Sequence, residues 1–489
     1  MSDQIHVKSH AVFGAKWIGL STIVTSAFQC LQVAILTRFL VPTDFGLMAM
    51  AMVVIGVAQA FTDLGVSNAV IQRRHTALDQ LSTLYWLEIL AGVILFGAMI
   101  LITPYVVGFY HEPRISGVMI VTSIIFLVTP PGQLFQVLLQ KELRFHVMSM
   151  VEISASFIGM ISSIALAYLG FGVMALAIGQ ILYYGLRSIE YLVIGCREWK
   201  PRLHFRTSDL EGYIGFGMYQ IGERIVTYLS INVINLIIGR YLGARVLGNY
   251  SIAYQMIINP ILRANTVLMT VSFPLLSRYQ GLDNLLQDGY LHMTRFIAFT
   301  TFPILTVVTL TAPVFVPVLL GPGWGDVIPL VQILCVVGLF KSLGATTVPT
   351  YLAKGRADIG FIWNFIVAAI NALVFYLLTG YGIIVLTLAF AAISLMQFTM
   401  LQTITGKIIE LSWRRYLEEL TVDSLLSISM GAVIFGAYLA GRAMNISHAP
   451  LLALMVLSAV IVYMILLATF RREYIRELRS LMMPVKRII

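Results

Sequence analysis

Residues 37–51 read TRFLVPTDFGLMAMA, and residues 239–253 read GRYLGARVLGNYSIA. The stretches stand 202 positions apart and share Arg38 with Arg240, Leu40 with Leu242, Gly46 with Gly248 and Ala51 with Ala253, while Phe39 and Tyr241 are alike. A second echo, in the same order, pairs LLQKELRF from Leu138 with YLAKGRAD from Tyr351. Each member of that pair precedes a glycine-aromatic-glycine turn, Gly170-Phe171-Gly172 and Gly380-Tyr381-Gly382. The ordered echoes are read as an internal duplication.

The surroundings of the repeats fix the solvent. The 489 residues are 59% hydrophobic and 11% charged, with a mean hydropathy of +0.88. Soluble domains carry about 25% charge, and a water-facing surface could not be coated with so little. The solvent is therefore lipid, and the expected class is an all-α integral membrane protein. Breaking the chain at its polar clusters leaves about fourteen segments long enough to span a bilayer. They start near Phe13, Gly46, Leu81, Gly117, Met148, Phe171, Gly212, Val246, Leu291, Ile328, Ile359, Ile383, Val422 and Leu451. The first is too long for a signal-peptide core and is read as a retained span.

An even number of spans separates the two repeats, so the halves insert in the same orientation, as parallel repeats about an axis along the membrane normal. The expected organisation is an N-lobe over 1–205, a C-lobe over 206–410, two added helices over 411–470 and a basic cytoplasmic tail over 471–489. Charge sets the direction. With both termini in the cytoplasm, 21 of the 32 Lys and Arg lie inside, 5 outside and 6 within spans, the bias that cytoplasmic loops show. That bias accounts for the sequence pI of about 9.4 without nucleic acid. The tail alternates Arg with apolar residues and is expected on the anionic inner leaflet.

Polar groups at bilayer depth are expensive and are functional candidates. The seventh span carries Glu223 and Arg224, with Gln220 a turn before. The eighth aligns Gln255, Asn259, Arg263, Thr266 and Thr270 on one face, and Asn259-Pro260 predicts a kink. The first span places Gln29 on a face with Lys16, the second sets Gln59 and Asp63 a turn apart, Glu88 lies in the third, and Lys341 lies in the tenth. Lys16, Arg187 and Arg295 stand close enough to span ends to snorkel. Glu88 and Glu152 are read as satisfied by neighbouring helices or as proton-coupling groups. The cationic excess points to an anionic substrate. Arg suits a diphosphate through its fork of donors, and the scattered amides and hydroxyls suit sugars. Arg224, Arg263, Lys341 and Lys16 are thus candidates for the diphosphate, Gln29, Gln220, Gln255 and Asn259 for a polar stripe, and Glu223, Asp63 and Glu88 for ion coupling.

Catalysis finds no constellation. No Walker A, HExxH or GxSxG motif occurs in a suitable context, and Cys30, Cys196 and Cys335 suggest neither a disulfide framework nor a zinc site. No cofactor and no metal are expected. HEPR at 111–114 is read as a solvated turn.

The runs TRFLVPTDFGLMAMA, FTDLGVSNAVIQRR, LLQKELRF and IIGRYLGARVLGNYSIAYQ together resemble the polysaccharide-exporter branch of the MOP superfamily, the Wzx-type oligosaccharide flippases, and most nearly the colanic-acid exporter group. The resemblance covers about the first 410 residues. It implies two six-helix lobes around a V-shaped cavity with two extra helices, and no enzymatic activity. It also implies that an undecaprenyl-diphosphate-linked oligosaccharide passes from the inner to the outer leaflet by alternating access coupled to a cation gradient. Further implied are an inner-membrane location and working contact with polymerase and glycosyltransferase machinery. Relatives hold the anionic carrier with cavity arginines, for which Arg224 and Arg263 are the matching positions. Where relatives often read Asn-x-Asp, this chain has Asn232-Val233-Ile234-Asn235, which leaves Glu223 as the nearby acid.

The competing readings are a cation-coupled multidrug exporter of the same superfamily, a membrane glycosyltransferase or ligase, and an uncoupled scramblase. Arg263 and Lys341 oppose the first, which favours intramembrane acids. The short outer loops oppose the second.

Overall fold

Helices are the only regular way for one segment to satisfy its own backbone in lipid, and the computed structural model contains no strand among the described residues. It describes residues 2–63, 66–72, 77–210, 214–278 and 283–470, with some side chains inside these helices, Gln220, Glu223, Thr266 and Thr270 among them, outside the description. Among the described residues ten helices are long and apolar enough to cross a membrane, or up to eleven if one bent pair counts as a single span. Each expected span start falls in a helix or within two residues of one, except Gly212, which lies outside the described residues.

The helices divide between two compact units, one comprising the chain up to Ile252 with Trp363–Leu386, the other Ala253–Ile362 with the chain from Thr387. The first unit contains α1 (Ser2–Leu36), α2 (Pro42–Gln59), α3 (Val66–Gln72), α4 (Leu78–Tyr110), α5 (Ile115–Ser123), α6 (Ile125–Val128), α7 (Pro130–Lys141), α8 (Phe145–Tyr168) and α9 (Val173–Gly195). It also takes the first part of α10 (Ile214–Arg278). Pro42 starts α2 at a position where its missing N–H is no loss. The span expected from Gly117 is broken: α5 and α6 meet α7 at a 49° bend. The cause is Pro130-Pro131, which cannot continue the ladder of hydrogen bonds.

Within α10 it is Gly243, at φ 82° and ψ 175°, that leaves helical geometry. Pro260, where the sequence predicts a kink, stays within helical φ/ψ. Only a residue without Cβ takes Gly243's conformation at little cost, whereas a proline in a membrane helix keeps helical φ. The echoed turns share a device: Gly172 and Gly382 both have positive φ, 54° and 85°.

The repeat glycines meet. A Cβ built on Gly46 would lie 1.7 Å from the Ala244 carbonyl oxygen, and one on Gly248 would lie 1.8 Å from that of Pro42. Ala244 is the repeat partner of Pro42, and Gly248 of Gly46. The contact is therefore reciprocal, the mark of a two-fold relation, and it brings α2 and α10 to backbone contact.

The second unit holds α11 (Asp283–Leu320), α12 (Val327–Gly344), α13 (Thr347–Ala353), the start of α14 (Ala357–Leu378), α15 (Ile383–Ile408), α16 (Trp413–Ala443) and α17 (His448–Phe470). Its core gathers Leu276, Tyr290, Phe398, Ile409 and Tyr416. Helices α16 and α17 pack on α11, with Tyr463 donating to the Phe299 carbonyl at 2.8 Å. The outer face of α17 exposes Leu457, Val460, Ile461, Met464 and Ile465, an apolar stripe that needs lipid.

Candidate functional site

The first unit carries a charged cluster between α2, α4 and α10. Asp63 follows the end of α2, where its Oδ1 accepts from the Ser67 backbone N–H at 2.9 Å and from the Ser67 hydroxyl at 2.5 Å. Its Oδ2 accepts from Arg224 Nη1 at 2.7 Å. The acid is buried, with 8% of its side chain exposed, against 36% for Arg224. One turn along α10, Tyr228 donates to the Met52 carbonyl at 2.8 Å, and its phenol occupies the notch left by Gly56. Positions four apart share a helix face, so Arg224 and Tyr228 tie α10 to α2 at two levels. Glu88 on α4 is wholly buried, neither carboxylate oxygen has a hydrogen-bond partner among the described residues, and Asp63 acts on it electrostatically.

A second network lies between α7, α8 and α9. Arg187 donates to Gln136 Oε1 at 2.8 Å and stands 3.6 Å from Glu152, while Tyr183 donates to Glu152 at 2.5 Å. The expectation that Arg187 snorkels is corrected here. Its charge is held by partners, with 23% of the side chain exposed, because Glu152 on α8 faces it. Gln59 hydrogen-bonds Tyr184, so α2 reaches this network through Gln59 and the first through Asp63. Ser154 donates to Glu190 alongside, at 2.7 Å.

In the second unit Lys341 stands in the last turn of α12, its Nζ 5.4 Å from the centre of the Phe390 ring, a cation–π distance. Arg263, Gln255 and Asn259 on α10 are half-buried. Arg295 does not reach for an interface; it pairs with Glu419 on α16. Asp423, one turn beyond, is 1% exposed. Lys16 on α1 is exposed and Gln29 half-buried. The side chains of Gln220 and Glu223 lie outside the described residues. The structure thus joins three of the candidates, Asp63, Glu88 and Arg224. It adds Glu152, Arg187, Glu419 and Asp423 as intramembrane charges with packed surroundings. An acid inside an apolar run was the available signal for Asp423, whereas Glu419 precedes the expected start of its span and gave none.

Outside the spans, electrostatics is local. Arg114 hydrogen-bonds Glu112 at 2.8 Å and holds its carboxyl below the usual carboxylate range, as a solvated turn would. The segment before α10 is strapped to α4: Trp86 donates to the Arg202 carbonyl at 2.8 Å, and Thr83 donates to Asp209 at 2.8 Å. The Thr83 hydrogen bond holds Asp209 below its usual value, with His204 adding to the effect.

The all-helical spans, the broken fourth span and the intramembrane charge clusters belong to one class of transporter. The fold matches that of the solved "Lipid II flippase MurJ, inward closed conformation", with a TM-score of 0.76, 15% identity and coverage of 94% of this chain and 99% of that one. A multidrug MATE transporter from Vibrio cholerae, VcmN, matches at 0.51 with 13% identity, covering 83% of this chain and 99% of that one. This is the fold of the MOP superfamily. The profile of the polysaccharide biosynthesis protein family matches residues 35–329, and the chain belongs to that family. It is 30% identical over 455 residues to the teichuronic acid biosynthesis protein TuaB of Bacillus subtilis, covering 93% of this chain and 94% of that one. It is also 30% identical over 358 residues to the lipopolysaccharide biosynthesis protein WzxC of Escherichia coli, covering 73% of each. It is a multi-pass membrane protein and a polysaccharide exporter of the MOP superfamily.

Proposed function

We propose that this chain flips an undecaprenyl-diphosphate-linked oligosaccharide from the inner to the outer leaflet of the cytoplasmic membrane, by alternating access coupled to a cation gradient and without catalysis. The observation that carries the reading is Arg224: a guanidinium inside a membrane-spanning helix, 36% exposed and held on one side by Asp63, in a chain of the polysaccharide biosynthesis family. A fork of donors in a low-dielectric setting suits a diphosphate better than it suits a cationic drug. Arg263, Lys341 and Lys16 serve as further anchors, and Gln29, Gln220, Gln255 and Asn259 contact sugars. Asp63, Glu88 and Glu223 carry the coupling ion. The repeats at 37–51 and 239–253 support two lobes, 1–205 and 206–410, as the parts that move. Both termini lie in the cytoplasm, and polymerase and glycosyltransferase machinery work alongside.

The test is mass spectrometry of lipid extracts from cells lacking the chain and from the same cells complemented with it. A polyprenyl-diphosphate oligosaccharide that accumulates only in the deletion is the expected result. No such lipid, together with raised drug sensitivity, would refute the reading in favour of the multidrug exporter.

A further inference from the structure

The geometry points to an exchange at Arg224: a phosphate group of the substrate takes the guanidinium from Asp63, and the released carboxylate gains one proton from solution beside Glu88. This rests on the reading of the substrate as a lipid-linked diphosphate.

Three observations carry it. The arginine is the reachable partner, since 36% of its side chain is exposed against 8% for Asp63. Among the described residues its bond to Asp63 uses Nη1 alone, and a guanidinium has further N–H donors with which to engage phosphate oxygens in pairs. Asp63 is held in place by Ser67, whose backbone N–H donates to Oδ1 at 2.9 Å, so it cannot follow the arginine. The third observation is Glu88, wholly buried with both oxygens unpartnered among the described residues and within electrostatic reach of Asp63.

The proton balance follows. Before exchange, the Asp63 charge is compensated by Arg224. Afterwards Arg224 compensates the phosphate, and Asp63 is left buried without its counter-ion next to a second carboxyl group. Two neighbouring carboxyls out of water do not both stay ionised, so the pair binds a proton, with no other bond made or broken. The remaining titratable neighbours described are Tyr85, which senses Glu88 and Cys196; phenol and thiol are uncharged at neutral pH. Departure of the phosphate returns Arg224 to Asp63 and expels the proton. Loading of an anionic lipid and loading of a proton are thereby one event, which gives a gradient its purchase on the cycle.

The experiment is calorimetric titration of the full-length protein in detergent with undecaprenyl diphosphate, in buffers of different ionisation enthalpy, to count protons taken up per lipid bound. Wild type is expected to take up about one proton more than Asp63→Asn, which still binds. If Asp63→Asn fails to fold, Glu88→Gln is expected to bind with that uptake at least halved. Binding by wild type with the same uptake as the variants overturns the exchange alone. Failure of wild type to bind the lipid overturns both the exchange and the diphosphate reading. Inorganic pyrophosphate in parallel separates head group from lipid: uptake with both assigns the exchange to the diphosphate, and uptake with the lipid alone assigns it to the carrier.

Discussion

Arg224 and Asp63 form a bond whose two ends are unequally exposed, and that inequality decides what substitution does. Arg224→Ala leaves a buried carboxylate without its donor, which costs about 1–3 kcal/mol. It should lower the melting temperature of the purified protein while abolishing export, with the glycolipid accumulating in cells that still carry the inserted protein. Normal surface glycan in that variant would refute the assignment. Arg187 lies deeper among partners, bonded to Gln136 and facing Glu152. Arg187→Ala should therefore destabilise at least as much as Glu152→Gln, which keeps the volume and the polar contact to Tyr183. Thermal unfolding of both variants measures the order.

Between elements, the controlling contacts are made by backbone. Gly46 and Gly248 let α2 and α10 touch at the Ala244 and Pro42 carbonyls, closer than any side chain permits. Gly46→Ala and Gly248→Ala should each reduce folded yield and cost about 1–3 kcal/mol, as overpacking does. Because the contact is reciprocal, the two should be alike in size, which thermal unfolding of the pair checks. By contrast, the strap before α10 is a surface feature tied by a few hydrogen bonds. Thr83→Ala removes the donor to Asp209 and should raise tryptic cleavage after Arg202 and Arg206 with little change in melting temperature.

For the molecule as a whole, the asymmetry of Lys and Arg sets the direction of insertion. A thiol-reactive reagent that cannot cross the membrane should label Ser208→Cys in inverted vesicles only and Asn445→Cys in intact spheroplasts only. Both residues are exposed in turns. The reverse pattern would invert the topology and with it the direction of transport.

By itself the sequence determined the solvent, the helical class, the positions of most spans, the repeat and the family. Each follows from local properties summed along the chain: apolar run length, charge between runs, and residue identity at fixed spacing. It also made Asp63, Glu88 and Arg224 candidates one at a time, as ionisable groups in apolar segments. Only the tertiary structure decided that these three meet, that Arg187 turns to Glu152 and not to an interface, that α10 breaks at Gly243 and not at Pro260, and that the repeat glycines cross. Those outcomes depend on which faces of distant helices pack together. Positions 63 and 224 lie in different repeats, and no local periodicity records the partner of a charge that another helix supplies.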